Sequence, residues 1–278
     1  MLRSLVGSEM CIRDRIITGL VVLGLFIVQQ ARTRSEALVP LALFRDRNFS
    51  GANVAIAAVG FTVTSMSLPM MFFLQTARGL TPTEAALLLI PMAVLSGVLA
   101  PFAGKLLDRV DPRIILIPGL LCVVVALVWY STLINMGTDI WMFLLPSALM
   151  GIGNAGMWGP LATTATRKLP PRQAGAGAGI YNTTRTIGSV IGSASIATFM
   201  QSRLEANLPG LADAPSGISG GGSLPPEVAE GFAAGMSQAI LLPACVMVVA
   251  LVASLFLGRY DRADAAASAP TEAPAPAA

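Results

Sequence analysis

The sequence predicts an all-α, multi-pass membrane protein, and three observations support this fold class. The 278 residues are 54% hydrophobic and 12% charged, whereas soluble domains carry about 25% charged residues. The mean hydropathy, +0.72, is correspondingly high. Long apolar runs alternate with short loops that hold most of the Lys and Arg residues. We therefore expect the chain to cross a lipid bilayer several times, with the bilayer as its main partner.

Six apolar runs are long enough to cross the bilayer. A spanning helix needs about 20 mostly apolar residues to cross roughly 30 Å of hydrocarbon. Pro or Gly lies inside nearly every run, which membranes tolerate because neighbouring helices satisfy the freed backbone groups. The predicted spans are residues 53–74, 85–106, 114–134, 140–165, 174–200 and 236–257.

The N-terminal region predicts one further, partial helix. The apolar run at 16–28 would cover only about 20 Å as a helix, so we expect a partial transmembrane helix at 16–30 and a cytoplasmic linker at 31–52. Residues 1–15 carry five charged residues and lack the apolar core of a signal peptide. We expect a non-native leader there, and a genuine amphipathic N-terminus is the alternative.

The Lys and Arg residues are unequally divided between the two sets of alternate loops, which predicts the orientation. One set holds only Arg78 and Arg203, leaving the leader aside. The other set is placed in the cytoplasm together with the C-terminus, so we expect a multi-pass protein of the cell membrane. Its twelve members are Arg32, Arg34, Arg45, Arg47, Lys105, Arg109, Arg113, Arg167, Lys168, Arg172, Arg259 and Arg262.

Two segments are expected to lack structure of their own. The outward loop at 202–235 is rich in Gly, Pro and Ser and is typical of a flexible connector. The tail at 258–278 is rich in Ala and Pro, and we expect it to be disordered in the cytoplasm. Neither segment is expected to carry chemistry.

The composition excludes most enzyme chemistries. The sequence contains no His, and its three Cys lie far apart at Cys11, Cys122 and Cys245, so His-ligated metal sites, catalytic triads and paired redox cysteines are excluded. The GxGxxG pattern at 151–156 lies inside an apolar span without a preceding strand, which disfavours nucleotide binding. We expect neither an enzyme nor a nucleic-acid-binding protein, and we expect no cofactor. Any uphill transport by this chain would draw on an ion gradient.

Small residues recur every four positions on two spans, as at Thr184, Gly188 and Gly192. This spacing puts them on one helix face, where a neighbouring backbone can approach closely. The expected packing glycines are Gly151, Gly156, Gly159, Gly188 and Gly192.

Polar and adaptable side chains at membrane depth are candidates for a substrate cavity. Arg185 lies well inside a predicted span, where a guanidinium is costly unless it is paired or hydrated. A structurally paired Arg and ordinary interhelical hydrogen bonds are the alternatives. A Met- and Phe-rich segment would suit a promiscuous pocket, with apolar filling as the alternative. The candidates are Asn154, Trp158, Tyr181, Asn182, Arg185, Phe73 and Met70.

The loop at 104–113, with the sequence GKLLDRVDPR, predicts a cytoplasmic latch between two spans. Asp108 and Asp111 directly precede a helix, whose N-terminal dipole favours anions, and Arg109 and Arg113 lie close enough in sequence to pair with them. A solvated turn that follows the positive-inside rule is the alternative.

Gly104, Leu106, Asp108, Arg109 and Arg113 resemble the loop signature G-x-L-x-D-R-x-G-R-R of the major facilitator superfamily. Asp111 and Pro112 depart from that signature where Gly and a basic residue are expected. The segments LVPLALFRDRNFSGAN, GLTPTEAALLLIPMA and RQAGAGAGIYNTTRTIGSVIG are similar to the fourteen-span drug:proton antiporter branch of the EmrB/QacA type.

This resemblance implies a fold of two six-helix bundles flanking an inserted helix pair, with a central cavity that alternates its opening. Residues 53–257 would be the C-terminal bundle, and the N-terminal bundle, with the acidic coupling residues, would be missing. The implied function is proton-coupled multidrug efflux of small lipophilic and cationic substrates. A membrane-embedded structural or assembly subunit without transport activity is the alternative.

The orientation can be tested by single-cysteine labelling in a version whose three native Cys are replaced by Ser. We expect an impermeant thiol reagent added to intact cells to modify Ser219→Cys and to spare Asp111→Cys, because only the first lies outside. The reverse pattern would overturn the predicted orientation.

Overall fold

The computed structural model describes residues 41–167, 169, 171–208 and 226–257, with scattered helical positions between 14 and 29. These residues form helices and no strands, which confirms the all-α class. Six long helices make up most of the described chain. They are α1 (Arg47–Phe72), α2 (Ile90–Leu107), α3 (Pro112–Leu133), α4 (Leu144–Thr166), α5 (Pro171–Asn207) and α6 (Pro226–Leu255).

Four short helical elements extend or connect these helices. The π-helix Phe73–Ala77 continues α1, and the short helix Pro82–Leu87 leads into α2. The 3₁₀ helices Leu41–Arg45 and Ile140–Phe143 precede α1 and α4. The expected cytoplasmic linker therefore ends earlier than residue 52, because α1 begins at Arg47. Its start is fixed by Asp46, whose carboxylate accepts a hydrogen bond from the backbone N–H of Asn48 at 2.7 Å.

Among the described residues, five helical segments are long and apolar enough to cross a membrane. They contain α1, α2, α3, α4 and all but the first two residues of α6. The fifth predicted span, α5, is the longest helix at 37 residues, but its polar side chains keep it outside this group. Large apolar side chains such as Val98, Phe102 and Val190 are exposed on the bundle surface, as expected of a surface that faces lipid.

The fifth and sixth helices are longer than their predicted spans, which were residues 174–200 and 236–257. The observed helices begin at Pro171 and Pro226 and end at Asn207 and Leu255. The predicted spans were limited to apolar residues. A helix can continue beyond the hydrocarbon region as long as its backbone N–H and C=O groups stay hydrogen-bonded.

The helices pack around a single large core, with α1 and α4 at its centre. Helix α1 packs along α5 and α6 and also contacts α4, while α4 packs along α2 and α3. Helix α3 contacts α6, which closes the core on the far side. Helix α2 lies at the edge of the bundle, since Leu107 is its one buried residue. The side of the bundle formed by α2, α4, α1 and α5 carries the site described below.

Helices α1 and α5 approach each other through glycine. A Cβ atom built at Gly188 would collide with the carbonyl oxygen of Ala57, and one built at Gly60 would collide with the carbonyl oxygen of Arg185. At Gly192 it would lie 2.6 Å from the carbonyl oxygen of Phe61. These positions need glycine because the two backbones are in direct contact.

Glycines of α4 make close contacts with two neighbouring helices, α2 and α3, but Gly159 is not one of them. A Cβ at Gly151 would lie 2.7 Å from the Met92 carbonyl oxygen on α2. Gly156 lies against α3, and a Cβ at Gly153, a position not predicted, would be 2.7 Å from the Gly119 carbonyl oxygen. At Gly159 the nearest atom would be Leu107 Cδ2 at 3.8 Å, which is ordinary contact. Four-residue spacing placed Gly151 and Gly159 on one face, but the contacts change as α4 passes from one neighbour to the next.

Several predicted segments lie wholly or largely outside the described residues. These are the leader at 1–15, the linker up to residue 40, the central part of the outward loop at 209–225 and the tail at 258–278. Of the partial helix predicted at 16–30, nine positions are described, and all nine are helical.

The contact between α1 and α5 can be tested by adding one methyl group. We expect Gly188→Ala to lower the free energy of unfolding by about 1–3 kcal/mol, because a backbone carbonyl occupies the space that the methyl group needs. Gly179→Ala on the same helix is the control, since no atom lies within 4 Å of its Cβ position, and it should change stability by less than about 1 kcal/mol. Titration with SDS in mixed micelles measures both, and equal losses would contradict the close contact.

Candidate functional site

A half-buried group of polar and aromatic side chains lies between α4 and α5. Asn154 and Trp158 lie one turn apart on α4, and the Trp158 indole N–H donates a hydrogen bond to Asn154 Oδ1 at 2.9 Å. From α5, Arg185 places its guanidinium carbon 5.8 Å from the centre of the Trp158 ring. This distance is within the range of a cation–π interaction. Three of the predicted cavity residues are therefore brought together from two helices.

Tyr181 lies one helical turn before Arg185 on α5, on the same side of the helix. Its side chain is 7% exposed. Within the described part of the chain its hydroxyl has no hydrogen-bond partner, and neither has the buried Nε of Arg185. Buried polar atoms without partners are uncommon in folded proteins. Here two such atoms lie on side chains one helical turn apart, and the second belongs to the residue that approaches the Trp158 ring.

Asn182 belongs to an exposed polar strip on α5, beside this group. Its side-chain amide donates to the carbonyl oxygen of Ala178 at 3.1 Å, and the residue is exposed. Thr186 and Ser193 are also exposed and follow Asn182 at four and eleven residues. These two residues were not predicted from sequence, although their helical spacing from Asn182 was a usable signal.

The other two predicted cavity residues, Phe73 and Met70, lie in the core. Phe73 is fully buried and stacks on Phe143 with ring centres 6.0 Å apart, and Met70 is 3% exposed. Their assignment to a cavity is not supported by this placement. The cause is that both lie in an uninterrupted apolar stretch, residues 68–74, so the sequence did not indicate which face turns inward. Apolar filling, the alternative, describes these side chains.

The predicted latch loop joins α2 and α3. Asp111 is the N-cap of α3 and accepts a hydrogen bond from the Arg113 backbone N–H at 3.1 Å, which confirms that an acidic residue begins this helix. Asp108 and Gly104 are exposed. The Nε and Nη2 atoms of Arg113 are buried without a partner among the described residues, so the expected pairing is not made through them.

Arg109 is exposed at the start of the turn, and it interacts with another residue of the chain. Next to the turn lies a cleft of about 400 Å³ between the ends of α2 and α4. Its lining residues are Leu107, Asp108, Ala162, Thr163, Thr166 and Arg167.

Acidic and metal-binding groups are absent from the site itself. Among the described residues, no group of three or more His, Cys, Asp or Glu side chains could hold a metal ion. The acidic residues of the helices lie near their ends, as with Glu84, Glu205 and Glu230. Among the described residues, the arrangement around Arg185 is therefore cationic and aromatic.

Comparison with known proteins identifies the chain's relatives. It is 44% identical over 255 residues to an uncharacterized MFS-type transporter of Mycobacterium tuberculosis, covering 90% of this chain and 44% of that protein. It is 28% identical over 242 residues to the lincomycin resistance protein LmrB of Listeria monocytogenes, covering 87% and 49%. It is 30% identical over 191 residues to the multidrug resistance protein Stp of M. tuberculosis, covering 69% and 35%.

The chain thus spans half or less of the length of these relatives. The family profile of the Major Facilitator Superfamily matches residues 16–193. Since this match covers more than half of the chain, the protein belongs to the major facilitator superfamily.

Proposed function

We propose that the chain forms the C-terminal half of a proton-coupled multidrug efflux transporter of the fourteen-span type. The observation that carries this proposal is the group of Asn154, Trp158 and Arg185 between α4 and α5. Polar groups at membrane depth are costly and usually mark a substrate or ion pathway. In transporters of this fold, the substrate site lies near the bilayer midplane between two repeats. On this proposal, the side of the bundle that carries Arg185 is one wall of that cavity.

The relatives support an export function. Two of them are named as resistance proteins, one for lincomycin and one for multiple drugs. Because this chain covers half or less of their length, the opposite wall of the cavity would come from a second bundle. Transport would then occur by rocking of the two bundles about the cavity. The glycine contacts between α1 and α5 would keep this bundle rigid during the movement.

Proton coupling would use residues outside this bundle. The described helices carry their acidic residues near their ends, so none offers a carboxylate beside the Arg185 group. We infer that the proton-binding acid belongs to the opposite bundle. The substrates are expected to be small lipophilic molecules, and the protein would lie in the cell membrane with its C-terminus in the cytoplasm.

The proposal can be tested by completing the transporter. We would fuse residues 16–278 to the upstream half of the mycobacterial relative, which is 44% identical to this chain, and express the fusion in an efflux-deficient bacterium. Loss of a lipophilic fluorescent cation and of a lipophilic fluorescent carboxylate is followed separately. We expect export of at least one dye, and a protonophore should abolish it.

Two controls define the outcome. Residues 16–278 alone should insert but should not export either dye, since only one wall of the cavity is present. Gly188→Leu in the fusion should stop export while leaving membrane insertion intact, whereas Gly179→Leu should export normally. A fusion that inserts and exports neither dye would favour a non-transporting membrane subunit. Protonophore-sensitive export by residues 16–278 alone would show that the coupling residues are not elsewhere.

A further inference from the structure

We propose that Arg185, with Tyr181 and Trp158 beside it, binds the carboxylate of an aromatic, amphipathic acid. This inference rests on the proposed function, because it takes the side of the bundle that carries Arg185 to be a wall of the substrate cavity. It replaces the cationic substrates implied by family resemblance with an anionic class at this wall.

The first argument is the charge. Arg185 is the fifteenth residue of α5, roughly 20 Å along the helix axis. Across the described residues, no ion pair or hydrogen bond compensates its guanidinium, and the acidic side chains of the helices lie near their ends. Arg stays protonated under all relevant conditions. A cationic group next to it would therefore be repelled, whereas an anionic group would be attracted in a medium that screens charge poorly.

The second argument is the availability of donors. The guanidinium has five N–H donors in a planar fork that matches a carboxylate. The Nε atom of Arg185 is buried without a partner, while the residue as a whole stays partly exposed. The Tyr181 hydroxyl, one turn away and 7% exposed, also has no partner in the described chain. An oxyanion that entered between these two side chains would accept hydrogen bonds from both.

The third argument is the aromatic neighbour. The Trp158 ring lies 5.8 Å from the guanidinium carbon and is held by its hydrogen bond to Asn154. Its indole N–H is therefore already used, and what remains is a large apolar surface next to the charge. A ligand that carries an aromatic ring beside its carboxylate fits both parts of the site.

The charge preference can be measured by binding, without transport. We would reconstitute the full 278-residue chain into phosphatidylcholine nanodiscs and measure the dissociation constants of 2-naphthoate and its neutral isostere 2-naphthamide by equilibrium dialysis. Empty nanodiscs correct for partitioning into lipid. We expect 2-naphthoate to bind about tenfold more tightly, as for a charge-assisted bidentate hydrogen bond.

Variants assign this preference to the site. Arg185→Gln should remove it. Arg203→Gln is the matched control, because Arg203 lies on the same helix, lies over the Phe199 ring at 4.7 Å and has a buried, unpaired Nε atom. That variant should keep the tenfold preference. Tyr181→Phe, which changes one oxygen atom, should lower it by about threefold and remains informative if Arg185→Gln does not fold.

Three results of these binding measurements would each overturn the proposal, and a lipid competition gives a fourth. They are an absence of preference for the carboxylate in the native chain, a preference that survives in folded Arg185→Gln, and equal loss in Arg203→Gln. Displacement of 2-naphthoate by phosphatidylglycerol added to the bilayer would reassign the site to a lipid phosphate and would overturn it as well. The binding test is independent of export, so a fusion that does not export, with the carboxylate preference intact, rejects the proposed function alone.

Discussion

The backbone contact between α1 and α5 is the constraint on which the rest of the bundle depends. At Gly60 and Gly188 the backbones of the two helices touch without an intervening side chain. The contact lets Ser189 and Thr64 donate to carbonyl oxygens of the opposite helix, each at 3.1 Å. Such bonds are valuable in a membrane, where water cannot satisfy a hydroxyl group. They fix the rotation of α5 and so turn Arg185 towards α4 instead of towards lipid.

The position of Arg185 reduces the stability of the fold rather than adding to it. Placing an Arg at the centre of a membrane helix costs about 2.5–3.5 kcal/mol on insertion scales. A cation–π interaction returns about 0.5–2 kcal/mol, and the distance of 5.8 Å from the Trp158 ring is near the end of its range. The balance is a net cost, so a neutral side chain would give a more stable bundle. On the proposed function, substrate binding is what this cost would serve.

Much of the fold followed from the sequence, because membrane helices must satisfy a simple length and composition requirement. Six helices lie where six spans were predicted, and Asn154, Trp158 and Arg185 meet because polar residues in lipid turn towards the protein. Phe73 shows the limit. It lies in an uninterrupted apolar stretch, residues 68–74, so periodicity did not distinguish the core from a cavity. Gly159 shows the same limit for small residues, since spacing indicates a face but not the neighbour that lies against it.

On the proposed function, the composition of this wall determines how a transport cycle can release its substrate. A carboxylate that gains or loses a proton could change its attraction for a ligand, but Arg185 keeps its charge at every stage. Protonation elsewhere in the transporter therefore leaves the charge of this wall unchanged. Release would come from protonation of the ligand's own carboxylate or from a change in surroundings, because water that enters the open cavity screens the guanidinium and competes for its N–H donors. A rigid bundle suits this mechanism, because the direct contact between α1 and α5 keeps the site intact while the opening of the cavity changes.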